Sequence, residues 1–168
     1  MILFANFFLV ITFFGCNGSS QADVAVSDID AGRMLNINRY MSQKDYDILR
    51  HFVKRKSWKM AFSDDGYYYE IFNEGTTPKI TDNKQVLCDY TITLLDGTLC
   101  YEVTDKSFVV AASEEITGLH YAIKHLGKGG KARFIFPSNL AYGLQGDFNK
   151  IPPRAILIYD IQVNDVLN

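Results

Sequence analysis

The stretch Lys131–Val163, KARFIFPSNLAYGLQGDFNKIPPRAILIYDIQV, decides the fold. Phe134–Phe136 and Ala155–Val163 are apolar β-type runs, and the loop between them carries Pro137, Gly143, Gly146, Pro152 and Pro153. In the second run Leu157, Tyr159, Ile161 and Val163 alternate with Ile156, Ile158, Asp160 and Gln162, the period of two that a strand imposes when one face is dry. The proline pair rules out a helix ahead of that strand, because each ring removes a backbone donor and drives the preceding residue to extended geometry. Two strands flanking an aromatic loop predict a concave apolar site.

Working outward toward the N-terminus, the pattern stays β-rich. Tyr67–Phe72 reads as a strand, Asn73–Asn83 as a loop, and Val86–Leu94 as a strand running into an Asp96-Gly97 turn. Val86, Cys88, Tyr90, Ile92 and Leu94 share a face. Leu99–Val103 returns, Lys106–Ala112 is expected as a separate strand, and Ile116–Leu126 as a short helix ended by Gly127–Gly130. The longest helix expected is Ser42–Trp58, with Ser42 and Asp45 as a box at its start, Lys54–Lys56 at its negative end, and a stripe of Tyr46, Leu49, Phe52 and Val53. That stripe packs either on its own domain or on a second copy.

Ile2–Phe14 is almost unbroken hydrocarbon and aromatic, ends at Gly15-Cys16, and is too short for a span of about 20 apolar residues. It resembles a bacterial lipoprotein signal, which implies cleavage before Cys16 and lipid attachment there. A buried strand or a plain cleaved signal is the alternative. The small, polar stretch that follows has little to bury and reads as a flexible tether over residues 16–41.

With 168 residues, one domain with extensions is the expectation, and a net charge of −2 offers nothing to nucleic acid or to an anionic membrane surface. Cys88 and Cys100 lie at unequal distances from the Asp96-Gly97 turn, so they are expected as buried free thiols. His51, His120 and His125 make no metal set: the last two diverge by about 140° on a helix, and all three are expected to be solvated. GKGGK at Gly127–Lys131 lacks phosphate-loop spacing and follows a helix, so it reads as a turn. No nucleophile elbow selects a hydrolase serine. Neither metal nor cofactor is expected.

The run LAYG at Leu140–Gly143, then IPP at Ile151–Pro153 and the strand LIYDIQV, resembles the C-terminal signature of FKBP-type peptidyl-prolyl isomerases. The likeness extends back through GKGGKARFIFP, EEITGL and VLCDYTITLLDG, and covers about residues 66–168. It implies an α+β fold: an FKBP-like antiparallel sheet wrapped around one short helix, here preceded by an N-terminal helix. The implied layout is a signal over 1–15, a lipidated Cys16 and tether over 16–41, a helix over 42–60 and the isomerase domain over 61–168.

Carried onto this sequence, the catalytic pocket falls on Tyr90, Phe108, Ile116, Leu119, Tyr142 and Tyr159, with Cys100, Tyr101 and Ile151 as further substrate contacts. Tyr142 would donate its hydroxyl to one substrate carbonyl and the Ile116 N–H to another. Five positions depart from the family's usual residues: Cys100 and Tyr101 replace a Phe-Asp pair, Leu119 stands where the pocket floor is often Trp, Glu115 replaces Val, and Lys106 replaces an aromatic. The implied partners are proline-containing polypeptides and, through Cys16, a membrane, which places the chain in the bacterial envelope facing the periplasm. The overall arrangement and FIFPSNLAYGLQGD are most similar to the lipoprotein isomerases linked to gliding motility. A non-catalytic module of the same fold, and a structural subunit dimerising through Tyr46, Leu49, Phe52 and Val53, are the competing readings.

Overall fold

The computed structural model describes the backbone of residues 20–167 and the side chains of Asn36 and residues 39–167, so the expected signal and Cys16 lie outside the described residues. The chain divides into two compact units, residues 1–38 and 39–168. In order, the elements are α1 (Ser20–Lys56), β1 (Ala61–Phe62), β2 (Tyr68–Asn73), β3 (Gln85–Leu94), β4 (Leu99–Val109), α2 (Thr117–Ala122), β5 (Lys131–Phe136) and β6 (Leu157–Leu167). Short 3-10 turns follow α2 at Ile123–His125 and β5 at Ser138–Leu140. Among the described residues, no helix is long and apolar enough to cross a membrane.

The six strands form one antiparallel sheet in the order β1-β2-β5-β6-β3-β4. β6 lies between β5 and β3 because its alternating residues are buried on both faces. Register pairs Tyr159 with Phe134 on one side and with Ile92 on the other, so these three side chains share the inner face. Leu157, Tyr159, Ile161 and Val163 line that face with Val86, Cys88, Tyr90, Ile92, Phe134 and Phe136. Helix α2 and the 3-10 turn that follows cover it, and the 0 % exposed Leu119, Ala122, Ile123 and Leu126 of this segment are the residues expected to face inward. Gly118 lets it come close: a Cβ there would stand 2.5 Å from a Phe136 ring carbon.

The stripe on α1 packs against its own sheet. Leu49, Phe52 and Val53 bury against Ile135, Ile156 and Ile158 on the outer face, with Tyr46 and Trp58 at the edge, so these residues are not free to form a dimer seam. The Arg133 guanidinium lies 4.4 Å from the Trp58 ring centroid and makes two hydrogen bonds to Asp160, at 2.7 and 3.0 Å.

Several expectations are corrected. Residues 20–41 are helical where a tether is expected, because a helix nucleated by its docked half extends at little cost through residues such as Ala31, Met34 and Leu35. Ser42 and Asp45 are therefore interior to α1. Leu99–Val103 and Lys106–Ala112 are not separate strands: β4 runs continuously to Val109, with its register shifted opposite Cys88–Tyr90. At that kink Asp105 adopts φ 53°, and its N–H donates to Asp89 at 2.7 Å, so a local side-chain bond turns the backbone without ending the pairing. His120 is buried rather than solvated. Its Nδ1 accepts from the Ala111 N–H at 3.0 Å and its Nε2 donates to the Ser113 carbonyl at 3.1 Å. His125 is half-buried and bonds the Tyr67 hydroxyl at 3.0 Å.

Cys88 and Cys100 are free, buried thiols. Burial, with Glu115 and Asp89 nearby, pushes the Cys88 thiol up to about 12. The unfolded thiol ionises near pH 8.5, so this raised value leaves stability unaffected below that pH and erodes it as pH rises toward 12. Iodoacetamide at pH 8 is expected to leave Cys88 unmodified in the native protein and to alkylate it fully in denaturant, as read by peptide mass mapping.

Candidate functional site

Five elements contribute to the inner face the nine residues that the sequence singles out. β3 contributes Tyr90, β4 contributes Cys100, Tyr101 and Phe108, the entry to α2 contributes Ile116 and Leu119, the β5–β6 loop contributes Tyr142 and Ile151, and β6 contributes Tyr159. All nine belong to, or pack against, a single apolar cluster. Leu119 and Tyr159 are fully buried and form its base, while Tyr142 and Tyr101 are half-buried at its mouth.

The base is aromatic and tightly braced. The Tyr159 ring lies 5.5 Å from Tyr90 and meets Phe136 edge-on at 5.4 Å. Its hydroxyl is buried, with the Tyr142 side chain as its polar neighbour and no hydrogen bond of full geometry among the described residues. Burial, together with the neighbouring Tyr142 and Tyr90, raises the Tyr159 ionisation far above that of an exposed phenol, and burial also raises those of Tyr90 and Tyr142. All three phenols are therefore neutral at physiological pH and serve as walls or hydrogen donors, not as bases. The Ile116 N–H donates to no group among the described residues. His120 braces this entry from beneath, with its ring 5.8 Å from that of Phe108.

Two of the departures from the family pattern meet in space. Lys106 and Glu115 form an ion pair of 2.6 Å, and the Glu115 side chain is only 12 % exposed, so each supplies the other's counter-charge beside Tyr90 and Tyr142. Tyr101, standing where a carboxylate is usual, donates its hydroxyl to Asp147 of the β5–β6 loop. The Asp147 carboxylate also accepts from the Asn149 N–H at 2.9 Å and the Ile151 N–H at 2.7 Å. Desolvation acts to raise its pKa, but these donors outweigh it and hold the group ionised below the usual carboxylate range. A carboxylate absent from the hairpin thus arrives from the loop.

Two carboxylates that hold loop backbone beside these residues escaped the sequence reading. Asp147 sits in a run of polar loop residues, with nothing to separate it from a solvated turn. Asp45 carries the pattern of a helix start and is instead 2 % exposed, bonded across 93 residues to Ser138. No spacing rule reaches such a contact.

The arrangement suits a reaction that needs no acid, base or metal. Rotation about an X-Pro amide faces a barrier of about 20 kcal/mol from lost resonance. The twisted amide is less dipolar than the planar one, so a dry aromatic pocket favours it, and a donor fixed at the mouth holds the flanking chain in place.

The comparisons point the same way. A family model described as FKBP-type peptidyl-prolyl cis-trans isomerase matches residues 76–164. The FkpA isomerase of Buchnera aphidicola from Acyrthosiphon pisum is 32% identical over 122 residues, covering 71% of this chain and 49% of the relative. FkpA of Escherichia coli K12 is 31% identical over 121 residues, covering 68% and 42%. The chain therefore spans about half the length of these relatives. Among solved structures, a peptidyl-prolyl cis-trans isomerase from Pseudomonas syringae matches with a TM-score of 0.64 at 26% identity, covering 76% of this chain and 96% of that one. The Escherichia coli FkpA crystal structure matches with a TM-score of 0.64 at 25% identity, covering 90% and 74%.

Proposed function

Because the chain belongs to the FKBP-type peptidyl-prolyl cis-trans isomerase family, we propose that it isomerises X-Pro bonds in polypeptides folding in the bacterial envelope. The observation that carries this reading is the gathering of Tyr90, Phe108, Ile116, Leu119, Tyr142 and Tyr159 into one dry cluster with Tyr142 at its mouth. Proline packs against the surface made by the touching Tyr90 and Tyr159 rings, next to Leu119. The Tyr142 hydroxyl and the Ile116 N–H each take a backbone carbonyl of the substrate, and Cys100, Tyr101 and Ile151 complete the wall. Cys100 makes one side less bulky than a Phe would, and the Lys106–Glu115 pair makes the rim polar.

Tyr142→Phe is expected to lower kcat/KM about tenfold, the loss of one hydrogen bond made to the reacting chain. Tyr90→Ala is expected to lower it further by opening the ring wall. A protease-free cis/trans assay on peptides that vary the residue before proline reads both. Wild-type rates in the Tyr142 variant would remove its hydroxyl from the mechanism.

The same proposal places the chain at a membrane through lipid on Cys16, facing the periplasm, with gliding motility as a process it serves. The support is the apolar run ending at Gly15-Cys16. Cys16→Ala is expected to release the protein from the membrane fraction, and unchanged fractionation would remove the anchor. A second reading, a binding module that holds proline-containing segments without turning them over, is favoured by one observation: the carboxylate beside the pocket is engaged by Tyr101 and two backbone donors.

A further inference from the structure

We propose that Asp45 of the N-terminal helix is a positioning residue of the isomerase site, locking the loop that presents Tyr142. This rests on the reading of Tyr142 as a substrate donor. The loop leaves the sheet at Pro137 and returns at Ala155, and Asp45 grips both of its ends. One carboxylate oxygen accepts from the Ser138 N–H at 3.2 Å and from the Ser138 hydroxyl. The other accepts from the Arg154 guanidinium at 3.2 Å. Between these ends the backbone is laced: Gly143 N–H donates to Ser138 O at 2.8 Å, and Arg154 N–H donates to Gly143 O at 2.9 Å. Tyr142 immediately precedes Gly143, so its backbone is fixed within one residue of this lattice.

Three observations separate this clamp from ordinary helix docking. Apolar burial by Leu49, Phe52 and Val53 already holds α1 on the sheet, and adding a 2 % exposed carboxylate beside it carries a desolvation cost that its partners must offset. A group kept at that cost fixes geometry more than it adds stability. Next, Arg154 adopts φ 59°, a conformation that a long side chain adopts only when its surroundings enforce it. Finally, the Arg154 Nε is buried without a partner, so Asp45 is the group that orients this guanidinium among the described residues. Without the carboxylate, the Arg154 corner loses its ion pair, the Ser138 corner loses two acceptor contacts, and the loop between them can shift. A displacement of about 1 Å in a positioning group costs up to about a hundredfold in rate.

The test is a double-mutant cycle on the full chain in the cis/trans assay, at a temperature where circular dichroism shows every variant folded. Asp45→Ala is expected to lower kcat/KM about tenfold, chiefly through kcat, and Asp45→Asn, which keeps an acceptor of the same shape, to recover part of the loss. In the Tyr142→Phe background Asp45→Ala is expected to cost little more, because both changes disable the same hydrogen bond. Should Asp45→Ala fail to fold, Ser138→Ala removes one of the two grips and carries the same non-additivity. Additive losses, or a folded Asp45→Ala with wild-type kcat, would overturn the clamp while leaving the Tyr142 reading intact. Wild-type activity in Tyr142→Phe itself would overturn the reading on which the clamp rests.

Discussion

Phe136→Ala is expected to lower the unfolding free energy by about 3–5 kcal/mol and to abolish most isomerase activity in the fraction that stays folded. The side chain is 0 % exposed and sits where three parts of the structure meet. Its ring stacks at 5.9 Å on Phe134, meets Tyr67 at 5.5 Å and stands edge-on to Tyr159 at 5.4 Å. It also fills the space left by Gly118, so it spaces α2 from the sheet. Truncation leaves a cavity between Tyr159 and the Gly118 turn of α2. Chemical denaturation with an unchanged m-value would establish lost stability in a two-state unit, and a fall below 1 kcal/mol would show that Phe136 is not a keystone.

Leu49→Ala is expected to cost about 2–5 kcal/mol, the range for a large-to-small change at a fully buried site. Its consequence differs from that of Phe136→Ala because the outer cluster is a separate one. Loosening α1 uncovers Ile135, Ile156 and Ile158 on the sheet's outer face, so the variant is also expected to self-associate as its concentration rises. Size-exclusion chromatography with light scattering reads the association, and thermal unfolding reads the stability. A monomeric Leu49→Ala with wild-type stability would mean that the docked helix contributes nothing to the domain.

The parts of the fold that were legible in the sequence are those set by short-range periodicity. Alternation in β3 and β6, the inward stripe of α2 and the Asp96-Gly97 turn each depend on neighbours two to four residues away. Composition misled at residues 20–41, because a polar stretch lacking a face to bury still propagates a helix begun by Leu49 and Phe52. The bulge that keeps β4 continuous depends on Asp89 reaching across to Asp105, and no alternation pattern contains that bond.

At the site, the nine residues picked out by the motif frame all fall in or against the inner-face cluster, but that frame treated each departure singly. Lys106 and Glu115 look like two defects in the chain and are one ion pair in the fold. Tyr101 looks like a lost carboxylate until Asp147 is seen against it. His120 and Asp45 were legible only as polar residues on helices. What they bond, the Ala111–Ser113 turn and the ends of the Tyr142 loop, is set by how the helices dock.

The most direct test of the isomerase claim is exchange spectroscopy by NMR on a short Leu-Pro peptide with the full chain present at a small fraction of the peptide concentration. Cis and trans signals are expected to show cross-peaks at mixing times where the free peptide, exchanging over tens of seconds or longer, shows none, and those cross-peaks are expected to weaken with Tyr142→Phe. Peptide signals that shift on binding while cis–trans exchange stays at the uncatalysed rate would contradict catalysis and leave a proline-binding module in its place.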